Sequence, residues 1–375
     1  MIRFNKPYQT GRELEYIRDA LERGRLAGNG HYTQKCHAFF EERYGLPKVL
    51  LTTNGTHAME MSSILMGIRE GDEVIMPSFT FVSTANAFVL RGAKLVFADS
   101  RPGHPNMDLE GVEKLITKRT KAIVLVHYGG MACDMDRALE LTEKHNLFLV
   151  EDAAHAIEAT YKGEPLGSFG QFATFSFHET KNVVSGEGGM IAINVPRQVE
   201  RAEIVWEKGT NRAAFFRGEV DQYDWIDVGS SYLPSEVNAA FLYAQLEAVD
   251  RIQTERRELW DHYWEGLKEL EEAGRLELPR LPEHANNNAH LFYLITRSLE
   301  ERTALIEHLK EEGIKAVFHY RSLHKSPFYK EWHDGRELPN ADRFSDRLVR
   351  LPFFIELSEE ERDHILDRVK AFYGT

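Results

Sequence analysis

The first two thirds of the chain alternate short, continuous apolar runs with longer runs in which apolar positions recur every third or fourth residue. Short apolar runs bounded by turns read as strands buried on both faces, and the 3.6-residue recurrence reads as helix. Seven strands are expected, at residues 48–52, 73–76, 94–97, 122–127, 147–151, 172–177 and 190–194. Between the first two lies a helix at 56–66, with Ala58, Met61 and Leu65 on one face. Gly71 and Asp72 mark the turn into the next strand. This alternation predicts an α/β fold with a mostly parallel central sheet covered by helices.

From about residue 239 the pattern changes. Leu242, Leu246, Val249 and Ile252 mark one face of a long helix that continues in charged form toward Trp264. Pro279 and Pro282 interrupt the pattern, then come a strand-like run at 291–296, a helix at 300–312 and a second strand-like run at 316–320. The expected division is a large α/β domain with an amino-terminal arm over 1–249, and a smaller α+β domain over 250–375.

Two apolar strands run into reactive side chains. The run LFLVEDAAHA ends in Asp152, and FSFHETKN carries Lys181 just before the glycine-rich GEGG at 186–189. A lysine and an aspartate so placed are what a pyridoxal 5′-phosphate (PLP) site needs. The amine forms a Schiff base with the cofactor aldehyde, and the carboxylate keeps the pyridine nitrogen protonated so that the ring accepts electrons. Taken singly, Lys181 also reads as a solvated loop residue and Asp152 as a helix cap.

Four neighbouring pieces add weight. TTNGTHAME (52–60) gives a strand, a tight turn at Asn54 and Gly55, and a helix starting at Thr56. Free amides at a helix start suit a phosphate, and Gly55 lets the backbone come close, although a plain N-cap has the same signature. In PSFTFVSTANA (77–87), Phe81 could lie flat against a cofactor ring, or be core. His155, three residues after Asp152, could bond the cofactor's phenolic oxygen or orient Asp152, and is otherwise a structural histidine. Ser176 could reach the same phosphate as Thr56. It lies five residues before Lys181, so a regular strand would put the two on opposite faces, and a bend is required.

Composition narrows the field. The net charge of −13, from 46 Lys and Arg against 59 Asp and Glu, argues against a general nucleic-acid binder. An anionic ligand must then be met locally, and FHYRSLHK (318–325) and EKGTNR (207–212) are the candidate stretches. Cys36 and Cys133 offer neither a disulfide framework nor a metal-ligand spacing, and no metal is expected. There is no signal-peptide core and no membrane-length apolar window, so a cytoplasmic setting is expected. GEGG is not a strand-to-helix G-x-G-x-x-G, which makes a dinucleotide site a poor reading.

In the order GT, PSFTFVST, VEDAAHA and FSFHETKN followed by GEGG, the chain resembles the DegT-type sugar-nucleotide aminotransferases. The likeness runs from GRLAGNGHYT near the amino terminus to LPFF at 351–354. It implies the aspartate-aminotransferase (type I PLP) fold, PLP as cofactor, and a homodimer with shared sites. Lys181 then takes the Schiff-base place and Asp152 that of the pyridine-nitrogen partner. Phe81 stacks on the ring, His155 lies alongside it, and Gly55, Thr56 and Ser176 take the phosphate positions. Lysine at 181, where some members carry histidine, implies transamination rather than deoxygenation. Ser231 stands where many members carry an asparagine that reaches the neighbouring subunit's phosphate, and the family's sugar-binding histidines match His319 and His324.

The segments MPSFTFVSTANAFVLRGAK, HNLFLVEDAA, WEKGTNRAAFFRG and DVGSSYLPSE resemble the branch that forms dTDP-4-amino-4,6-dideoxygalactose. By that resemblance, L-glutamate gives its amine to C4 of a dTDP-4-keto-6-deoxyhexose. Another keto sugar, amination at C3, a gluco product and a non-catalytic sensor on the same fold remain open alternatives at this point.

Overall fold

The computed structural model describes residues 1–374. All seven expected strands form, and no end is shifted by more than two residues. They are β1 (Val49–Thr52), β2 (Glu73–Pro77), β3 (Lys94–Ala98), β4 (Thr120–Val126), β5 (Phe148–Asp152), β6 (Phe172–Ser176) and β7 (Gly189–Ile193). They join one sheet in the order β1-β7-β6-β5-β4-β2-β3. β7 is antiparallel to both β1 and β6, and the other pairings are parallel. The sheet is therefore mostly parallel, as expected.

Alternate residues of each strand feed two apolar layers. Leu51, Ile75, Ile123, Leu149 and Ala173 face a core that includes Phe40, Leu141 and Leu242. Leu50, Val74, Val124, Val150 and Phe172 face Met61, Phe88 and Val205 on the other side. With both faces covered, ligands can reach the sheet only at its ends. The register sets Thr52 and Ser176 opposite Gly189, and Thr174 and Val126 opposite Asp152. The carboxyl ends of β1, β6 and β5 thus meet at one edge, where parallel α/β sheets present their sites.

The long helix expected across 242–264 is two helices, Glu236–Glu247 and Val249–Glu272. Ala248 breaks them apart at φ −102° and ψ 7°. The two pieces serve different cores, which one straight rod would not. Leu242 and Leu246 pack under the central sheet, whereas Leu259, Tyr263 and Leu267 pack with Leu305, Leu309 and Val369.

The run expected at 291–296 forms β8 (Tyr293–Ile295), and that at 316–320 forms β9 (Val317–Phe318). Both flank a strand that has no sequence signal of its own, β10 (Leu348–Arg350). Helix Leu299–Glu311, capped by Ser298, and helix Glu359–Tyr373, with a Ser358 and Glu361 capping box, cover this small sheet. The amino-terminal residues cross over to it. Ile2 bridges to Ile314 and packs with Leu309 and Val349. Among the described residues, no helix is long and apolar enough to cross a membrane.

Candidate active site

The bend that Ser176 requires is present. β6 stops at Ser176, and the chain turns through a loop closed by Phe177 N–H to the Gly188 carbonyl and Ser185 N–H to the Phe177 carbonyl, both 2.8 Å. Within it, Lys181 N–H bonds the His178 carbonyl at 2.9 Å. The next residue, buried Asn182, donates to the Asn288 carbonyl at 2.8 Å and meets His290 Nδ1 at 2.8 Å. The lysine backbone is thereby fixed, and Lys181 and Ser176 line the same cavity of about 870 Å³.

One end of this cavity is a helix start. Helix Gly55–Leu65 is capped by the Asn54 side chain, which accepts from His57 N–H at 2.8 Å. The first amides of the helix have no partner within it. The close approach rests on glycines. A Cβ on Gly189 would come within 2.3 Å of the Asn54 carbonyl carbon and 2.4 Å of Gly55 N, and one on Gly55 within 3.1 Å of Ser176 Cβ. Three hydroxyls surround this start: Thr56 Oγ1 and Ser83 Oγ, 2.7 Å apart, and Ser176.

Asp152 also lines the cavity. Its Oδ2 accepts from the Thr84 hydroxyl at 2.7 Å and its Oδ1 from Ala154 N–H at 3.2 Å. Burial raises its pKa, opposed by those two donors and by the charge of Lys181. Burial also pushes Lys181 down to about 8, opposed by Asp152 and reinforced by Arg350.

The remaining wall is aromatic. His155 accepts from Gly129 N–H at Nδ1 (3.3 Å), and its Nε2 lies 3.3 Å from the Tyr320 hydroxyl. Its ring stacks on His290 at 4.1 Å, and burial holds its pKa well below the usual range, so it is neutral. With Nδ1 accepting, the proton sits on Nε2 and Tyr320 O is the acceptor. His319 stacks on Tyr320 at 3.6 Å and its Nδ1 meets the Tyr128 hydroxyl at 2.6 Å. Phe81 stands at the mouth, 55% exposed.

Gly55, Thr56, Phe81, Asp152, His155, Ser176, Lys181 and His319 are thus gathered around one space. Two expected residues lie elsewhere. His324 is buried away from the cavity, its Nδ1 2.7 Å from Ser78 Oγ and its Nε2 3.6 Å from Asp342, and it ties a strand end to the loop after β9. Ser231 is exposed on a separate depression of about 810 Å³, with Lys48, Lys208 and Arg212. The 207–212 stretch belongs to that depression, while Phe318, Tyr320 and Arg321 of the 318–325 stretch line the Lys181 cavity.

Sequence reasoning missed Thr84, His290 and Arg350. Thr84 had a signal, because Thr80 and Thr84 are one helical turn apart and their hydroxyls meet at 2.9 Å. Arg350 had none, lying on a strand of three residues.

The donor set suits PLP: amides and hydroxyls for a phosphate at the helix start, a carboxylate held by two donors, and an amine of lowered basicity, all lining one cavity. Over residues 7–370 the sequence matches the DegT/DnrJ/EryC1/StrS aminotransferase family. It is 33% identical over 373 residues to the GDP-perosamine synthase of Escherichia coli O157:H7, covering 98% of each chain. The structure is similar to that of the aminotransferase TlmJ from Streptoalloteichus hindustanus, with TM-score 0.91 and 29% identity, covering 100% of this chain and 99% of the other. Spr1654 from Streptococcus pneumoniae, solved in a PLP-form, superposes with TM-score 0.91 at 27% identity, over 100% and 98% of the two chains. The chain belongs to the DegT/DnrJ/EryC1/StrS aminotransferase family and is a PLP-dependent sugar aminotransferase.

Proposed function

We propose that this enzyme moves an amino group from L-glutamate to C4 of a dTDP-4-keto-6-deoxyhexose, giving dTDP-4-amino-4,6-dideoxygalactose. The observation that carries the reading is the meeting of Lys181, Asp152 and the Gly55–Thr56 helix start in one cavity. The segments WEKGTNRAAFFRG and DVGSSYLPSE favour the dTDP sugar. A second reading, a GDP-linked keto sugar, is favoured by the 33% identity to GDP-perosamine synthase.

When bound, PLP supplies an aldehyde that takes up an amine and a ring that withdraws electrons from the reacting carbon. Lys181 is the residue that holds the cofactor covalently. The donor's amine would displace it, and the freed lysine, whose lowered basicity leaves a usable neutral fraction near neutral pH, would take the proton from the donor's α-carbon. Asp152 would hold a proton on the pyridine nitrogen, and the bonds from Thr84 and Ala154 aim the carboxylate and favour its ionised form against burial. Gly55, Thr56 and Ser176 receive the phosphate. Phe81 covers one face of the ring, and neutral His155 flanks it without adding charge. His319 and Tyr320 receive the sugar, and Arg321, exposed at the rim, meets the diphosphate.

The working unit is a homodimer. Ser231 opens away from its own Lys181 cavity, and nearby Phe216, Tyr223, Trp225 and Ile226 are exposed. A cluster of that kind suits burial against a second copy, where Ser231 would serve the partner's phosphate. Both cysteines are buried free thiols, in keeping with a cytoplasmic setting.

The test is to incubate the loaded enzyme and glutamate with dTDP-linked and GDP-linked 4-keto-6-deoxy sugars separately, and identify the products by mass spectrometry and NMR. Turnover of the dTDP sugar to the 4-amino galacto product is expected. Turnover of the GDP sugar alone favours the second reading.

A further inference from the structure

A backbone carbonyl can only accept, and from that the protonation of a histidine beside Lys181 follows. The Asn288 carbonyl receives two side-chain amides, Gln253 Nε2 at 2.5 Å and Asn182 Nδ2 at 2.8 Å. With its NH2 group so placed, Gln253 turns its oxygen to the Asn182 NH2 group, 3.2 Å away. The Asn182 oxygen is left facing His290 Nδ1 at 2.8 Å. An amide oxygen accepts, so Nδ1 carries the proton of the neutral ring and Nε2 is a bare acceptor.

The surroundings hold the ring in that state. Burial, then the neighbouring His155, Lys181, Arg256 and Arg350, keep its pKa well below the usual range. Its own N–H donates to Asn288 Oδ1 at 3.2 Å, its carbonyl accepts from Arg256 at 2.6 Å, and its ring stacks on His155. Asn288 is fixed in turn, donating to the His155 carbonyl at 2.7 Å and the Ile157 carbonyl at 2.8 Å.

The bare nitrogen is unused. Both nitrogens of the stacked His155 have partners, Gly129 and Tyr320, but among the described residues His290 Nε2 makes no hydrogen bond, and neither does the Lys181 amine. The two residues share space. Both line the large cavity, and both border a second void of about 10 Å³ together with Ser176 and Asn182.

A lysine that comes and goes from a covalent bond needs a defined place in between, because its flexible stem otherwise lets the amine wander. An acceptor that takes one N–H turns the amine's lone pair toward the reacting carbon. A ring of such low basicity accepts the hydrogen bond without taking the proton, which stays on the amine to be handed back.

We propose that His290 is a positioning residue for Lys181, its bare Nε2 receiving an N–H of the lysine amine whenever that amine is free. The inference rests on the role of Lys181 given above and not on the sugar, and every reading of its test is made without sugar. Asparagine reproduces the Nδ1–H end of a histidine and glutamine reaches the Nε2 end. His290→Asn therefore keeps the donor to Asn182 and loses the acceptor, while His290→Gln restores an acceptor.

The first reading is nitrogen NMR of cofactor-free wild type carrying 15N-labelled histidine. The ring signals lost in the variants are expected to show a protonated Nδ1 and a bare Nε2 from about pH 6 to about pH 9. The second is the pH dependence of PLP capture by cofactor-free enzyme. An acceptor favours the ammonium form, so His290→Asn is expected to lower the Lys181 midpoint by about half a unit. The third is the single-turnover glutamate half-reaction. His290→Asn is expected to be about tenfold slower, with a larger α-deuterium isotope effect and an unchanged half-saturating donor concentration, and His290→Gln to stay within about threefold of wild type.

A proton on Nε2 would overturn the proposal, as would a midpoint and rate both unchanged in His290→Asn. A raised half-saturating donor concentration with the rate intact would also overturn it, by assigning Nε2 to the donor. Where the asparagine variant fails to fold, the tautomer and the rate of the glutamine variant decide. A bare Nε2 and a lowered midpoint in an enzyme that aminates neither keto sugar would uphold this inference while the substrate reading falls.

Discussion

The Thr84 hydroxyl donates to Asp152 Oδ2 at 2.7 Å, joining the first turn of helix Val82–Val89 to the end of β5. Burial alone drives Asp152 toward its neutral form, and this bond resists it. Thr84→Val keeps the shape and removes the donor. The pKa of Asp152 then rises further, and because the proposed mechanism uses the ionised form to hold the pyridine proton, activity on the acid side should be lost at higher pH. The expected result is an acid limb of the donor half-reaction displaced upward and a rate about ten- to a hundredfold lower, with Thr84→Ser close to wild type. Stopped-flow rates across pH check both.

The basicity of Lys181 gives a second prediction. Only the neutral amine captures an aldehyde, and burial lowers its pKa to about 8. Capture of PLP by cofactor-free enzyme should therefore accelerate as pH rises through about 8 and level off above it. An ordinary exposed lysine would keep accelerating toward about pH 10.4. Asp152→Asn removes the charge that favours the ammonium form, so its midpoint falls, whereas Arg350→Met removes a repelling charge and its midpoint rises.

Gly189 is the floor of the helix start. Gly189→Ala would set a methyl 2.3 Å from the Asn54 carbonyl carbon and 2.4 Å from Gly55 N. Both are backbone atoms that cannot swing aside. The helix start must shift, at a cost of about 1–3 kcal/mol in stability. The expected outcome is a lowered Tm together with a PLP Kd weakened at least about tenfold, measured by fluorescence titration. Gly186→Ala, where the glycine has open space around it but a φ of +79°, should lower Tm with little effect on the Kd.

The central sheet was legible because each of its strands is buried on both faces and announces itself as an apolar run. Lys181 and Asp152 stood out because each follows or ends such a run with a charged side chain, and Gly55 because Asn54-Gly55 marks a turn into a helix; the structure sets all three around one cavity. The break at Ala248 was not, since Leu242, Leu246, Val249 and Ile252 keep an unbroken stripe and an alanine gives no stop signal. His324 misled for a related reason. Histidines five apart in one loop look equivalent in sequence, yet Ser78 and Asp342 hold one in the interior while the other lines the cavity. Arg350 and Phe4, 346 residues apart in the numbering, meet only because the amino-terminal segment crosses to the small sheet, and no local pattern records that.

The most direct test of the account is to treat the PLP-loaded enzyme with borohydride, which locks the cofactor onto the lysine that holds it, and to map the tagged peptide by mass spectrometry. The tag is expected on Lys181 alone, and none in Lys181→Ala. A tag on another lysine, or equal tagging of the variant, would contradict it.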